Sequence, residues 1–190
     1  MGTQRLEAFT DGVIAILITI MVLELKVPHG ADLAALRPVL PVFLTYVLSF
    51  VFLGIYWNNH HHMFQAVDRV NGKVLWANLH LLFWLSLVPV TTGWVGENFG
   101  SLPTAVYGVV FFMAGVAWLI LQKTIIALEG HTSKLKAAVG SDLKGKTSAV
   151  LYALAIPSAF IHQWIAEAVY VFVALMWLVP DRRIESRLHQ

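Results

Sequence analysis

The chain has 190 residues, of which 58% are apolar and only 13% charged, with a mean hydropathy of +0.70. So few polar groups cannot coat a soluble domain of this size, so most of the outside must face lipid, and the length allows about six membrane-crossing helices in one domain. The net charge of +2 is too small and too dispersed for a nucleic-acid footprint, and the absence of cysteine excludes a disulfide framework, a thiol nucleophile and a Cys-ligated metal.

Taken in chain order, the apolar runs predict an all-α integral membrane protein with spans near residues 6–27, 39–63, 72–94, 102–126, 147–162 and 164–180. The first run, Phe9 to Leu25, is broken only by Asp11 and Glu24. It lacks the basic start and small-x-small site of a cleavable signal, so it is expected to stay as a helix. The stretch Thr147 to Pro180 would be about 50 Å long as a single helix, more than the roughly 30 Å hydrocarbon core, so it is predicted to fold back at the polar triplet His162, Gln163, Trp164.

Charge sets the parity of the spans, because Lys and Arg collect in cytoplasmic loops. With six spans and both termini inside, the cytoplasmic face holds Arg5, Arg69, Lys73, Lys123, Lys134, Lys136, Lys144, Lys146, Arg182, Arg183 and Arg187, leaving only Lys26 and Arg37 outside. Five spans would put the C-terminal arginines on the wrong side. Leu128 to Lys146 then reads as a basic cytoplasmic connection, and no inverted internal repeat of the transporter kind is visible.

The sequence lacks the motifs of a catalytic site: there is no His-Glu-x-x-His helix, Gly-x-Ser-x-Gly elbow or phosphate-cradling loop, so neither an enzyme nor a cofactor is expected. It also lacks the Thr-Val-Gly-Tyr-Gly filter loop of ordinary potassium channels. An intramembrane Asp11 is costly unless paired. It is either an interfacial residue bound to helix-end amides or to Arg5, or part of a buried polar knot, since His60 and Asn78 lie nine residues to either side of Arg69 and at a similar depth.

Projected at about 100° per residue, Ala15, Ile18, Val22 and Leu25 share the Asp11 face, which is expected to tie to neighbouring helices. Ile16, Ile20 and Leu23 form an aliphatic stripe on the opposite side, with Thr19 at its border. Because the helix is apolar all round, periodicity leaves open whether that stripe faces a pore or lipid. His60, His61 and His62 invite a metal reading, but consecutive helical residues point about 100° apart and cannot all hold one ion, so interfacial and hydrogen-bonding roles are expected instead. Glu24 is expected to attract cations at the outer mouth, to pair with Lys26 or to lie at the interface, Glu167 reads as a boundary residue, and the aromatic residues read as interfacial belts and helix packing.

Arg5, Phe9, Thr10 and Asp11, followed by Gly12, Val13, Ala15, Ile16, Thr19, Val22, Leu23, Glu24 and Pro28, resemble the Arg-x-x-x-Phe-Ser-Asp signature and first helix of the bacterial relatives of transmembrane protein 175, an endosomal and lysosomal potassium channel. Thr10 stands where that family usually has Ser, and either hydroxyl can cap a helix start. The segment Trp57-Asn-Asn-His-His-His-Met-Phe64 is similar to the family's Trp- and His-rich end of helix two.

The resemblance implies a homotetramer of six-helix subunits in a bacterial-type plasma membrane, with four copies of helix one lining a central pore. Ile16, then Ile20 and Leu23, would form the constricting rings, Thr19 matches a threonine associated with cation preference, and Glu24 would lie at the outer mouth. Arg5, Phe9, Thr10, Asp11, Trp57, His60 and Asn78 would be structural, tying helix one to helices two and three. The implied function is a potassium-permeable, moderately selective cation channel whose partners are its own copies, lipid and monovalent cations, with K+ permeant and no metal or cofactor. The rival readings are a secondary transporter, proton-coupled through Asp11 and the histidines, and a membrane scaffold without transport.

Overall fold

The structure is a computed structural model describing residues 2–67, 69–130, 133–139 and 142–178. The predicted cytoplasmic arginines Arg182, Arg183 and Arg187, and the last two residues of the sixth predicted span, lie outside these. Regular structure among the described residues is helical: α1 Gln4–Leu23, a short 3-10 turn at Leu33–Leu36, α2 Leu40–Gln65, α3 Gly72–Ser86, α4 Val88–Glu97, α5 Ser101–Glu129, α6 Lys134–Val139, α7 Leu143–Ser158 and α8 Gln163–Leu178. Four helical stretches are long and apolar enough to cross a membrane: α1, α2, α3 with α4 taken together, and α5; α8 is a shorter apolar helix.

Local chemistry explains where the helices depart from the predicted bounds. α1 stops at Leu23, short of residue 27, and Pro28 disfavours helical backbone in the residue before it. The third span is stepped at Leu87 because Pro89 has no N–H to continue the ladder, and Leu87 N–H turns to Trp84 O at 3.2 Å. α7 begins earlier than predicted because the Asp142 carboxylate accepts the Gly145 N–H at 3.2 Å, capping the first turn. It also ends earlier, at Ser158, one residue after Pro157. The chain then turns through Ala159 to His162, and α7 and α8 fold back on each other there; of the triplet expected at the bend only His162 lies in the turn, while Gln163 and Trp164 begin α8.

α5 is the axle of the subunit, packed against α3, α4, α7 and α8. It buries Tyr107, Phe111, Ala114, Ala117, Leu121 and Ile125 along its length. Glycines permit close approaches: a Cβ on Gly108 would overlap the Tyr170 hydroxyl on α8, and one on Gly96 of α4 would sit 2.8 Å from Val42 Cα on α2.

α1, by contrast, lies at the edge, touching α2, α3 and α4. Its buried face is Leu6, Thr10, Ile14, Leu17 and Met21. The Asp11 face expected to make this contact is displaced by one residue: Ala15 and Val22 are exposed, Asp11 and Ile18 only half-buried. An evenly apolar helix carries no periodic preference between adjacent faces, and the packing selects the one that presents Thr10 to α3.

Candidate functional site

Two polar lattices lie behind α1; the first hydrogen-bonds to it, and the second touches it at Met21. Near the N-terminal end of α1, Asn78 of α3 donates through Nδ2 to Thr10 Oγ1 at 2.9 Å, while its Oδ1 accepts from His60 Nε2 of α2, also at 2.9 Å. This acceptor fixes His60 in the tautomer with the proton on Nε2, leaving a buried Nδ1 without a partner among the described residues. Thr10, His60 and Asn78 are all buried. Each such bond contributes about 1 kcal/mol net, and losing one partner costs more because the others stay buried.

Beside this knot, Glu7 of α1 accepts from His61 Nδ1 at 3.1 Å, and Gln65 Nε2 lies 2.9 Å from His61 Nε2, so the ring is held between a carboxylate and an amide. Trp57 lies roughly parallel over the His61 ring, centroids 6.4 Å apart. The second lattice sits toward the other end. Tyr107 of α5 donates to Ser49 of α2 at 3.0 Å, Ser49 to Thr92 of α4 at 2.7 Å, and Thr92 to Val88 O at 2.7 Å, with Met21 Sδ of α1 3.8 Å from Thr92 Oγ1. The assigned directions follow from Thr92 spending its single proton on the backbone carbonyl.

The structure therefore brings Thr10, His60 and Asn78 together and holds Trp57 beside them through His61. Arg5 and Phe9 are exposed, and Arg5 makes no ion pair with Asp11 among the described residues. Asp11 is half-buried, with Oδ1 buried and without a partner among the described residues, and the carboxylate within electrostatic reach of His60. Thr10 does not cap the helix, which starts nearly two turns earlier at Gln4; its hydroxyl serves the inter-helix bond instead. Among the described residues no group of three or more potential metal-ligating side chains exists, the histidine run included.

The opposite face of α1 has no partner among the described residues. Ile16 is 57% exposed, Ile20 41% and Leu23 81%, in line with the exposed Phe9. Thr19, also exposed, spends its hydroxyl proton on the Ala15 and Ile16 carbonyls at 3.1 and 2.9 Å, leaving its oxygen lone pairs outward. The result is a row of aliphatic side chains with one hydroxyl at its border.

At the C-terminal end of α1 the expected pair of Glu24 with Lys26 does not form. Lys26 Nζ instead binds Glu97 of α4 at 2.6 Å, because the chain has already left the helix at Glu24 and swings the lysine toward α4. The Glu97 contact raises the Lys26 ammonium above its ordinary range. Glu24 Oε2 lies 3.8 Å from where a Cβ on Gly93 would be, against α4. Sequence reasoning missed Glu7, Ser49, Thr92, Tyr107 and Glu97; a Ser, a Thr and a Tyr at matching depths in three apolar helices were the available signal for the second lattice.

The family model described as endosomal/lysosomal potassium channel TMEM175 matches residues 5–89. A potassium channel of Chryseobacterium sp. (strain P1-3) is 55% identical over 191 aligned positions, covering 100% of both chains. A potassium channel of Streptomyces collinus is 31% identical, covering 91% of this chain and 90% of the other. The crystal structure of a lysosomal potassium-selective channel TMEM175 homologue from Chamaesiphon minutus superposes with a TM-score of 0.79 at 28% identity, covering 93% of this chain and 96% of that one. The bovine endosomal/lysosomal proton channel TMEM175 is 26% identical over 80% of this chain, which spans 35% of that protein.

With several apolar helices and these likenesses, the chain is a multi-pass membrane protein of an ion-channel class. It belongs to the TMEM175 family.

Proposed function

We propose that this protein is a potassium-permeable, moderately selective cation channel of a bacterial-type plasma membrane, formed by four copies of a six-helix subunit with both termini in the cytoplasm. The single observation that carries the reading is the bare stripe of Ile16, Ile20 and Leu23 on an edge helix whose other face is locked by buried hydrogen bonds. One subunit supplies one such stripe, so a closed aliphatic ring needs copies around an axis. α1, α2, α3 with α4, and α5 supply four spans, and α7 and α8 supply the last two. The relatives named as potassium channels support K+ as the permeant ion, and no cofactor is required.

In this reading Ile16 is the narrowest ring, with Ile20 and Leu23 above it toward the outer mouth. Aliphatic rings offer no oxygen to replace a hydration shell, so they act as a dewetting barrier and favour potassium over the more strongly hydrated sodium. Thr19 hydroxyls supply the polar ring between them, and Glu24 gives the outer mouth its negative charge. Arg5, Phe9, Asp11 and Trp57 complete the support around the Thr10–Asn78–His60 knot.

The test is potassium flux from proteoliposomes together with the mass of the purified assembly. Ile16→Asn should raise flux and lower potassium-over-sodium discrimination in an intact tetramer. Ile18→Asn, on the packed side, should disturb stability without opening the path. A monomer or dimer, or Ile16→Asn with unchanged flux and selectivity, would contradict the pore.

A further inference from the structure

Away from α1, the helices α2, α5, α7 and α8 fail to close on one another and leave a cavity of about 80 Å³, partly open to the outside of the subunit. Aromatic residues converge on it: Tyr56, Trp118, Tyr152 and Trp177 come from four different helices, and Tyr56 meets Trp118 edge-on at 6.2 Å. Space exists there because small residues form part of the wall. A Cβ on Gly115 would have a single neighbour within reach, the Tyr56 hydroxyl at 4.0 Å.

Most polar groups around the cavity are already satisfied. Trp177 Nε1–H donates to Ser148 Oγ at 2.8 Å, Ser148 donates to Lys144 O at 2.9 Å, and Asn59 donates to Ile55 O at 2.9 Å. The hydroxyls of Tyr56 and Tyr152 are the exceptions, with no hydrogen bond among the described residues, although Tyr152 is only 6% exposed. Neither hydroxyl is itself a buried orphan, so each is open to a partner entering the cavity, as the polar tip of a largely buried tyrosine ordinarily finds one. Water filling the space would need two to four polar partners per molecule, and most of this wall is ring and aliphatic carbon.

A molecule with one hydroxyl on an apolar body meets both demands. We propose that the cavity binds a lipid-soluble alcohol, its hydroxyl between Tyr56 and Tyr152 and its carbon part against the indoles of Trp118 and Trp177. The enclosed volume is about half that of a cavity that holds benzene, so the hydroxyl and first carbons lie inside while the remainder occupies the opening. Tyr56 directly precedes Trp57 and lies one turn before His60, so the site is built on the helix that holds α1 in place.

The test is quenching of tryptophan emission by 2,2,2-tribromoethanol in the full chain in lipid nanodiscs, with bromoform as the analogue lacking a hydroxyl. The expected result is a saturable component for the alcohol and half-saturation at least about fivefold higher for bromoform, the size of one lost hydrogen bond. Tyr56→Phe and Tyr152→Phe, which keep ring volume and packing, should each raise half-saturation by the alcohol about fivefold, and Gly115→Leu should abolish saturation by filling the space. Quenching that rises without saturation, equally in the native chain and in Gly115→Leu, would overturn the site. Saturable quenching unmoved by either tyrosine substitution would overturn recognition of the hydroxyl.

Discussion

α1 and α5 are equally apolar by hydropathy, yet 28% of the apolar stretch of α1 is buried inside the subunit and 50% of that of α5. The difference comes from small residues and polar partners. α5 carries Gly108, Ala114 and Ala117 where neighbours press in, so helices approach it from several sides. α1 has a single packed face, anchored at Thr10 and Met21, and its bulky residues Ile16, Ile20 and Leu23 project from the other. In a membrane, hydropathy says only that a helix may enter the bilayer; what it packs against is set by small side chains and hydrogen bonds.

This contrast is most severely tested at Gly108. A leucine there would drive into Tyr170 and Ile156, and the overpacking should cost about 3 kcal/mol or more, seen as loss of the folded species or a large fall in Tm in detergent. Next in size is Asn78→Leu, which leaves His60 and Thr10 buried without their partner. It should destabilise by about 2 kcal/mol, against about 1 kcal/mol for Thr10→Val, both read by thermal unfolding. Ile16→Asn should change stability by no more than about 0.5 kcal/mol, since an exposed side chain loses no packing within the subunit, while still changing ion flux.

The smallest effect is expected at Lys26 and Glu97. Their contact raises the Lys26 pKa, so its contribution is present below the lysine's ordinary value of 10.5 and is lost as the pH rises through the raised value. The pair is exposed to solvent and screened, so Glu97→Gln should leave Tm unchanged across neutral pH. A clear drop would mean that this end of α1 is held as firmly as α5.

Much of this architecture was legible in the sequence because hydropathy and length act over whole helices. The four long helical stretches and the turn before Gln163 follow directly from apolar runs and a polar triplet. The step at Leu87 was readable in Pro89 but is hidden when a span is read as one apolar run. Depth counted from Arg69 brought His60 and Asn78 to one level, and the structure joins them; it could not decide between Thr10 and Asp11, which differ by one residue and 100° of rotation. Glu7 with His61, and Lys26 with Glu97, escaped notice because each pairs residues far apart in sequence whose meeting depends on helix rotation or on where a helix ends.

The central claim is that the bare face of α1 borders a water-filled ion path between copies, and the absence of native cysteine makes one measurement decisive. Single cysteines at Ile16, Ile20 and Leu23, and at the packed positions Ile14 and Leu17, can be challenged with a charged methanethiosulfonate reagent during potassium flux from proteoliposomes. The pore predicts modification and altered flux at Leu23→Cys and Ile20→Cys, with Ile16→Cys reacting more slowly at the constriction, and no effect at Ile14→Cys or Leu17→Cys. Flux that is unaffected at all three stripe positions in a protein that still conducts would contradict it, leaving the stripe to face lipid.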